Sequence, residues 1–333
     1  MYRLAAFLVL LILPFSVQAD VVARGKVTAM SQPDSPWDRE WDYFKAKIND
    51  APDIELEYFI RGEVGTEEQM LTALRRNRVQ IGGITIWGLA GIVPEAAVPM
   101  IPFLFDTDAE VDFVFDNHLR PMFSELLAER GLVFLAWSEV GWNNLYANRA
   151  VLTPADAEGL KLRGSPNYAA QAFLQSVGAD SVPLGTADIA PALQTGLVDG
   201  GLSSMVFFYF SFSDFASHVT ETQQSYDQGI QMANKVWWDS LTEAQRGTIE
   251  DSFFPIGPSR DNIRALVTDF KADLVSRGIA IHSLSQAQRA QWVDATASTH
   301  RVILDEIGGR ADEVYAAILE GKRAFAAQTM AAE

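Results

Sequence analysis

The sequence predicts an α/β fold with two lobes and a helical C-terminal portion. Over residues 26–87, stretches of strand periodicity and stretches of helical periodicity alternate in the order β-α-β-α-β, which is typical of a mostly parallel sheet covered by helices. With 333 residues, the chain is too long for one ordinary core. From about residue 242, one helical pattern follows another. We therefore expect two α/β lobes with additional C-terminal helices.

The first residues have the composition of a targeting segment. Arg3 forms a short basic region, residues 4–15 are apolar, and Val17-Gln18-Ala19 resembles a small-residue cleavage site. The apolar stretch is shorter than the roughly 20 residues that a membrane-spanning helix needs. We therefore predict a signal peptide at residues 1–19, and not an uncleaved anchor. The mature chain would begin at Asp20.

Residues 26–60 predict a strand, a helix and a second strand. Residues 26–30 form a short apolar strand, and Ser35-Pro36 supplies an N-cap followed by proline at the first helical position. Apolar residues then recur at helical spacing, so one face of the helix is buried. These residues are Trp37, Trp41, Phe44 and Ile48, and we assign both tryptophans to the core. Residues 54–60 show the alternation of a strand.

A capping box, Thr66-x-x-Gln69, opens the next helix, which we expect to continue to Arg78 and to precede a strand at residues 81–87. Residues 84–105 are almost wholly apolar. They contain Glu95 and three prolines, however, which would disrupt a helix buried in lipid. A buried strand followed by an apolar crossover fits this stretch better. We expect no stable membrane insertion of the mature chain.

The second half of the chain continues the alternation. A helix is expected at residues 111–129, and strands are expected at residues 132–137, 160–163 and 182–184. Ser165-Pro166 is predicted to cap a helix that ends at Gly178, and Thr186 to cap one that ends near Gly196. Two further capping boxes open C-terminal helices, at Thr242-x-x-Gln245 and Ser285-x-x-Gln288.

Composition excludes several classes of function. The net charge of −17 repels nucleic acid and anionic lipid, and no basic block offsets it locally. The chain has no cysteine, which excludes thiol nucleophiles, thiolate metal sites and disulfides. There is no G-x-G-x-x-G motif and no P-loop. We expect no nucleic-acid partner and no cofactor.

Residues for catalysis or metal binding do not stand out. Residues 201–205 begin like a nucleophile elbow, but Met205 occupies the position of the closing glycine. The four histidines are far apart in sequence, and none has a partner at a metal-ligand spacing; they are His118, His218, His282 and His300. We predict no catalytic residue and no metal ligand, and we therefore expect a protein that is not an enzyme.

Residues 152–200 carry the most specific pattern in the chain, LTPADAEGLKLRGSPNYAAQAFLQSVGADSVPLGTADIAPALQTGLVDG. This stretch closely resembles the substrate-binding subunits of tripartite ATP-independent periplasmic (TRAP) transporters, which carry P-x-D-x-x-G-x-K-x-R, GA-x-x-V-P and AL-Q-T-G-x-V-D-G. Three other segments resemble the same family in the expected order, namely residues 65–70, 94–104 and 141–148. The last of these resembles the strand that joins the two domains.

The resemblance implies a two-lobed periplasmic binding protein, type II-like, with hinge strands. Lobe I is expected at residues 20–147, completed by about 233–282, and lobe II at residues 148–232, completed by about 283–330. Such a protein would reside in the periplasm, close around a small organic acid anion and deliver it to the TRAP membrane subunits. The resemblance also implies that Arg163 pairs with a ligand carboxylate, which suits the planar guanidinium.

The chain departs from the family at positions that contact the ligand. Many relatives carry a second arginine where this chain has Asn143, and the usual binding asparagine is replaced by Ser203. Asp188 and Ala190 stand where relatives often have glutamate and tyrosine. With one fixed cation, the site fits a monocarboxylate better than a dicarboxylate, because a second buried carboxylate would lack a charge partner.

Other side chains are expected to line the cleft. Trp87 follows the third strand, Trp142 lies on the hinge strand, and Phe207 follows a turn at Ser203; such rings could stack on an apolar or planar ligand, or could simply pack in the core. The positions that resemble cleft-lining positions of the family are Ser31, Thr85 and Thr186.

Two alternatives and one variant of the ligand remain open at this point. The chain could be a periplasmic hydrolase on the same fold, with Ser203 or Ser204 as nucleophile, which requires a nearby histidine. It could also be a sensory module whose partner is a receptor kinase. A sulfonate could take the place of the carboxylate at Arg163.

Overall fold

The computed structural model describes residues 22–332, so the predicted signal peptide lies outside the described residues. These residues form one mixed sheet of nine strands with helices around it. The strands are β1 (Ala23–Thr28), β2 (Ile54–Phe59), β3 (Ile81–Thr85), β4 (Leu132–Ala147), β5 (Lys161–Gly164), β6 (Asp180–Pro183), β7 (Gly200–Ser204), β8 (His218–Asn234) and β9 (Ala280–Ser283).

Fifteen α-helical segments surround the sheet within the described part of the chain. They are α1 (Pro36–Asn49), α2 (Glu67–Arg75), α3 (Ile86–Leu89), α4 (Asp108–Val114), α5 (Arg120–Ala128), α6 (Pro154–Ala157), α7 (Tyr168–Ser176), α8 (Ile189–Gln194), α9 (Met205–Phe207), α10 (Lys235–Ser240), α11 (Glu243–Ser252), α12 (Ile256–Ser276), α13 (Gln286–Thr296), α14 (Thr299–Ile307) and α15 (Ala311–Ala332). Short 3-10 segments lie at Pro94–Met100 and Thr186–Asp188, and π-helical turns at Phe115–Leu119 and Phe208–Phe212.

The strand order explains the two lobes. It is β2-β1-β3-β8-β4-β7-β5-β6, with β9 beside β8. Strands β1, β2 and β3 are parallel and form one lobe, as the β-α-β-α-β pattern predicts. Strands β5, β6 and β7 are also parallel and form the other. The long antiparallel strands β4 and β8 run through the middle and join both halves. The predicted α/β fold with two lobes is confirmed, whereas the residue boundaries of the lobes stay a prediction.

Most of the predicted helix starts are confirmed. The hydroxyl of Ser35 accepts a hydrogen bond from the backbone N–H of Asp38, with Pro36 in the first turn of α1. The capping boxes that begin at Thr66, Thr242 and Ser285 are all present. Each satisfies two backbone donors of a helix N-terminus, and this local chemistry is readable from sequence.

Two predicted caps are wrong. The helix assigned to Ser165-Pro166 begins later, because the side-chain oxygen of Asn167 accepts the hydrogen bond from the backbone N–H of Ala170 at 3.0 Å. Thr186 does not cap an α-helix either, since it lies inside a 3-10 turn without a side-chain capping bond and α8 begins three residues later. Both positions adjoin the cleft described below.

The central strand β8 was not predicted. Its sequence, HVTETQQSYDQGIQMAN, is rich in polar residues, and yet most of them are buried between β3 and β4. Strand β9 likewise interrupts the region that we expected to be helix after helix. Both strands owe their conformation to pairing with distant partners, which no local pattern records.

A buried ionic network lies beside the bend of β4. Gly141 has a φ of +100°, and the register of β4 against β8 shifts between Glu139 and Gly141. Glu139 is fully buried and accepts a hydrogen bond from the Tyr226 hydroxyl. Its carboxylate also lies 3.4 Å from Arg264 and 3.8 Å from Arg260 of α12. Burial raises the pKa of Glu139 to about 7. The network ties α12 to both hinge strands.

The C-terminal helices pack over both parts of the sheet. Helix α14 packs on α7, and α15 lies against α4 and the 3-10 segment at Pro94–Met100. Trp292 of α13 is fully buried against Phe173 of α7. None of the helices in residues 22–332 is long and apolar enough to cross a membrane.

Candidate ligand-binding cleft

Two adjoining cavities open beside the long strands. We call them the polar pocket and the aromatic chamber. They share Glu67, Thr85, Thr186 and Phe207, so that they form one continuous cleft. Glu67 and Thr85 come from the half of the chain before β4, whereas Thr186 and Phe207 come from the half after it. The cleft therefore lies between the two lobes.

The two cavities differ in chemistry. Apart from the shared residues, the polar pocket is lined by Trp87, Asn143, Arg163, Ser165, Ile189, Leu202, Ser203, Ser204, Phe212 and Asp227. The aromatic chamber is lined mainly by rings and small residues. Its rings are Trp37, Trp41, Phe44, Trp137, Phe207, Phe253 and Phe254.

Arg163 projects from β5 into the polar pocket and is only 6% exposed. Its Nε donates to the carbonyl oxygen of Leu184 at 2.9 Å, and one terminal nitrogen donates to that of Leu202 at 3.4 Å. Its guanidinium carbon lies 6.0 Å from the ring centroid of Trp87. Within residues 22–332, no carboxylate forms an ion pair with it. Burial lowers the pKa of Arg163.

Two acidic side chains share this pocket with Arg163. Asp227 of β8 is 5% exposed, and its carboxylate accepts a hydrogen bond from the backbone N–H of Gln228 at 2.9 Å. Burial raises the pKa of Asp227 well above its usual range, and the nearby Glu67 raises it further. Burial also raises the pKa of Glu67, against two hydrogen bonds that it accepts from Thr85. The pocket therefore holds one cation and two carboxyl groups that retain protons readily.

The structure brings most of the predicted site residues together. Strands β4 and β7 pair antiparallel, with Asn143 opposite Ser204, so that Asn143 and the adjacent Ser203 both line the polar pocket with Trp87. Ser203 lies within β7 and not on a turn, which corrects our expectation. Thr85 and Thr186 line both cavities. Their contact with a ligand stays a prediction.

The remaining predicted residues lie at different places. Ser31 lines the aromatic chamber, and its hydroxyl donates a hydrogen bond to the Ile60 carbonyl oxygen at 2.7 Å. Phe207 lies between the two cavities, with its ring centroid 4.7 Å from that of Trp37. Trp142 lines neither cavity, because its Nε1 donates to Asp108 at 2.6 Å.

Sequence reasoning missed the acidic residues of the cleft. Glu40, Glu67 and Asp227 line it, although no role in the cleft was predicted for any of the three. Glu67 lies in the family-like stretch of residues 65–70, whereas Glu40 and Asp227 lie in no recognised motif. Trp37 and Trp41 are buried as predicted, yet both also line the aromatic chamber. That the two tryptophans line a cavity follows only from the position of α1 in the tertiary structure.

Two of the four histidines meet in space. His218 and His282 lie on the paired strands β8 and β9, with Nδ1 of the first 2.9 Å from Nε2 of the second. Their separation along the chain gave no indication of this contact. Burial and the neighbouring imidazole lower the pKa of His282. No group of three or more potential metal-ligating side chains occurs in the part of the chain that the structure describes.

Two α/β lobes joined by long strands, with a cleft between them, define the class of two-lobed periplasmic solute-binding proteins. The chain belongs to the bacterial extracellular solute-binding protein family 7, DctP, whose family model matches residues 28–306. The resemblance to the TRAP solute-binding proteins is thereby confirmed. The family consists of receptors that bind solutes, which supports the expectation that the chain is not an enzyme.

Individual relatives agree with this assignment. A solute-binding protein of Verminephrobacter eiseniae is 27% identical over 265 residues, which cover 78% of this chain and 77% of the relative. The C4-dicarboxylate-binding periplasmic protein DctP of Vibrio cholerae is 23% identical over 270 residues, covering 80% and 81%. A crystal structure of a TRAP periplasmic solute-binding protein of Desulfovibrio salexigens, with bound orotic acid, has a TM-score of 0.85 at 18% identity and covers 91% of this chain and 99% of that one.

Proposed function

We propose that the protein is the periplasmic receptor of a TRAP transporter and binds a monocarboxylate with an apolar or ring-bearing body. After export and removal of residues 1–19, it would close its lobes on the ligand and deliver it to the membrane subunits. The observation that supports this most strongly is the buried guanidinium of Arg163, which forms no ion pair with any described residue and lies in a pocket that continues into an aromatic chamber.

The energetics of Arg163 favour an anionic ligand. A buried charge is costly unless a partner compensates it, and two carbonyl oxygens leave several of its N–H donors without a partner among the described residues. A ligand carboxylate can accept two parallel hydrogen bonds from one guanidinium. When the lobes close, water leaves and the pair becomes stronger. Ligand contacts on both lobes also supply the differential affinity that closure requires.

The charges of the cleft favour one carboxylate and not two. Among the described residues that line either cavity, Arg163 is the single lysine or arginine, whereas three acidic residues line the cleft. A second ligand carboxylate would face these acids without a counter-charge. The rest of the ligand would instead contact rings, which favour apolar and planar bodies.

Relatives show that this fold accepts different acids. The Desulfovibrio salexigens protein has bound orotic acid, which carries one carboxylate on a ring, whereas the Vibrio cholerae relative is named for C4-dicarboxylates. In this chain, we attribute the choice of ligand to the side chains around Arg163. Asn143 and Ser203 carry no charge, which supports the monocarboxylate.

A thermal-shift screen tests the proposal. Purified mature protein is heated with matched pairs such as 4-methylbenzoate and terephthalate, which share a ring and differ in one carboxylate. We expect stabilisation by the monocarboxylates, of about 2.7 kcal/mol at a hundredfold excess over Kd. Larger shifts with the dicarboxylates would contradict the proposed ligand class, and an absence of shifts with any organic acid would contradict the receptor for acids.

The acidic residues of the polar pocket predict a pH dependence of binding. A bound anion raises the pKa of Asp227 further, so binding takes up protons and affinity falls as pH rises through the range in which this group ionises. Asp227→Asn should flatten this dependence and strengthen binding at high pH, because it removes the negative charge that repels the bound anion. The local structure should persist, since the amide oxygen can still accept from the backbone N–H of Gln228. Calorimetry between pH 6 and 9 would measure it, and an unchanged slope in the variant would exclude Asp227 as the source.

The two alternatives have weaker support. A hydrolase would need a base beside Ser203 or Ser204, but no hydrogen bond among the described residues joins either serine to a histidine, and the Ser204 hydroxyl accepts from the backbone N–H of Phe207. The sensory alternative differs only in the partner. Neighbouring genes for two multi-span subunits would support transport, and a lone receptor kinase would support sensing.

A further inference from the structure

The aromatic chamber contains a carboxylate for which the structure shows no counter-ion. Glu40 projects from α1 into this chamber, where its oxygens accept hydrogen bonds from Ser138 at 3.2 Å and from Ser259. Within residues 22–332, no lysine, arginine or histidine forms an ion pair with Glu40. Two neutral hydroxyl groups compensate a buried negative charge only in part. A cation in the chamber would therefore be stabilised.

A second acceptor faces the same space. The side-chain oxygen Oε1 of Gln231, on β8, is buried and has no hydrogen-bond partner among residues 22–332. It lies over Gly83 of β3, where a Cβ atom would come within 2.3 Å of this oxygen and 2.7 Å of the Trp41 ring. Buried acceptors normally have a donor. A ligand group that donates hydrogen bonds would supply it.

The rings of the chamber are suited to a positive charge. Trp37 packs on Phe207 with a centroid separation of 4.7 Å, and Trp41 contacts Phe44 and Phe253 at 5.5 Å and 6.2 Å. Tryptophan faces attract ammonium groups through the ring quadrupole, and the attraction increases when water is excluded. Rings alone would suit a neutral ligand equally well, and the carboxylate among them makes the difference.

Strand β8 passes both cavities and gives the scale of their separation. Asp227 lines the polar pocket, whereas Gly229 and Gln231 line the aromatic chamber. At the usual rise of a strand, these residues lie about 7 Å and 13 Å along β8 from Asp227. Ser138, which donates to Glu40, pairs with Gly229. The distance between the two charged regions is thus that of a small molecule.

We propose that the aromatic chamber holds a positively charged nitrogen of the ligand against Glu40, while the ligand carboxylate lies at Arg163. The ligand is then a zwitterion with an apolar or ring-bearing body between its charges. This inference rests on the proposed function, since the carboxylate at Arg163 fixes the other end. In this arrangement, Glu40 selects ligands that carry a positive charge at the end opposite the carboxylate.

Two pairs of probes test the inference. In each pair, one acid carries a terminal ammonium group and the other does not: 4-(aminomethyl)benzoate with 4-methylbenzoate, and 6-aminohexanoate with hexanoate. Calorimetry on the mature protein should show the amino acid of each pair binding about tenfold more tightly. Glu40→Gln should remove this preference, because glutamine keeps the shape and loses the charge.

The pH dependence supplies a second readout. Burial raises the pKa of Glu40 to about 7. The ratio of the two affinities should therefore rise as pH increases through 7, because only the ionised carboxylate attracts the ammonium group. The Glu40→Gln variant should show no such rise. The plain acid corrects for the other titrating groups of the cleft.

The control is Asp42→Asn, which removes a charge from the exposed side of the same helix and should change neither affinity. Equal affinity within both pairs, or a preference that persists in Glu40→Gln, would overturn the inference. The proposed function would survive either result as long as the plain acids bind and need Arg163. If none of the four probes binds, both proposals are contradicted.

Discussion

Replacing Arg163 with methionine should lower the affinity for every ligand acid at least about 30-fold, because the loss of one partner of a buried, hydrogen-bonded charge pair costs about 2–5 kcal/mol. Methionine fills much of the same volume and adds no polar atom. The unliganded variant should still fold, since the substitution also removes a buried charge that has no ion pair in the structure. Calorimetry and thermal shift with the best acid from the screen would measure both effects.

The same strand offers a matched control for Arg163. Lys161 lies two residues earlier on β5, and its side chain is exposed. Lys161→Met should therefore leave the affinity unchanged, although it removes the same charge. Arg163→Lys should bind with intermediate affinity, because an ammonium group cannot form the two parallel hydrogen bonds of a guanidinium. If Arg163→Met binds acids as well as the wild type does, the carboxylate is not held by Arg163.

Replacing Trp292 with alanine should lower the free energy of unfolding by about 3–5 kcal/mol, the usual cost of removing a large buried ring. Trp292 is fully buried, stacks on Phe173 with ring centroids 5.9 Å apart, and donates a hydrogen bond from Nε1 to the Leu152 carbonyl at 3.0 Å. The substitution leaves both a cavity and an unsatisfied carbonyl oxygen. Urea denaturation of the unliganded protein would measure the change.

Two variants of the same helix separate these effects. Trp292→Phe keeps a ring against Phe173 and loses the Nε1 donor, so we expect a loss of about 1–3 kcal/mol. Val293→Ala changes the next residue, which is 37% exposed, and should cost less than about 1 kcal/mol. If Trp292→Ala lowers the free energy of unfolding by less than about 1 kcal/mol, α13 is not held to α7 through this ring. The Arg163 site should be unaffected in its ligand preference.

The pairing of β4 with β8 marks the limit of sequence reasoning about the fold. Capping boxes and apolar periodicity depend on neighbours within a few residues, and elements such as α1, α2 and the parallel strands β1 to β3 could be predicted for that reason. Strand β8 carries glutamines and an aspartate that local rules assign to the surface. Burial between two partner strands accounts for its conformation, and those partners lie more than 70 residues away.

In the cleft, too, some residues could be predicted from the sequence and others only from the tertiary structure. Asn143, Arg163 and Ser203 could be predicted as cleft residues from motif positions along the chain, and all three line the polar pocket. Glu40 and Asp227 lie outside every motif that the sequence analysis used. They line the cleft only because α1 and β8 pack on opposite sides of it.

By itself, the sequence determined the α/β class, the receptor family and the arginine that lines the polar pocket, since short patterns and local hydrogen bonding specify them. Only the tertiary structure decided which acidic side chains and which rings surround that arginine. The reason is physical: the charge and polarity of a cleft arise from groups that are distant along the chain and adjacent in space, and their burial changes which of them hold a proton.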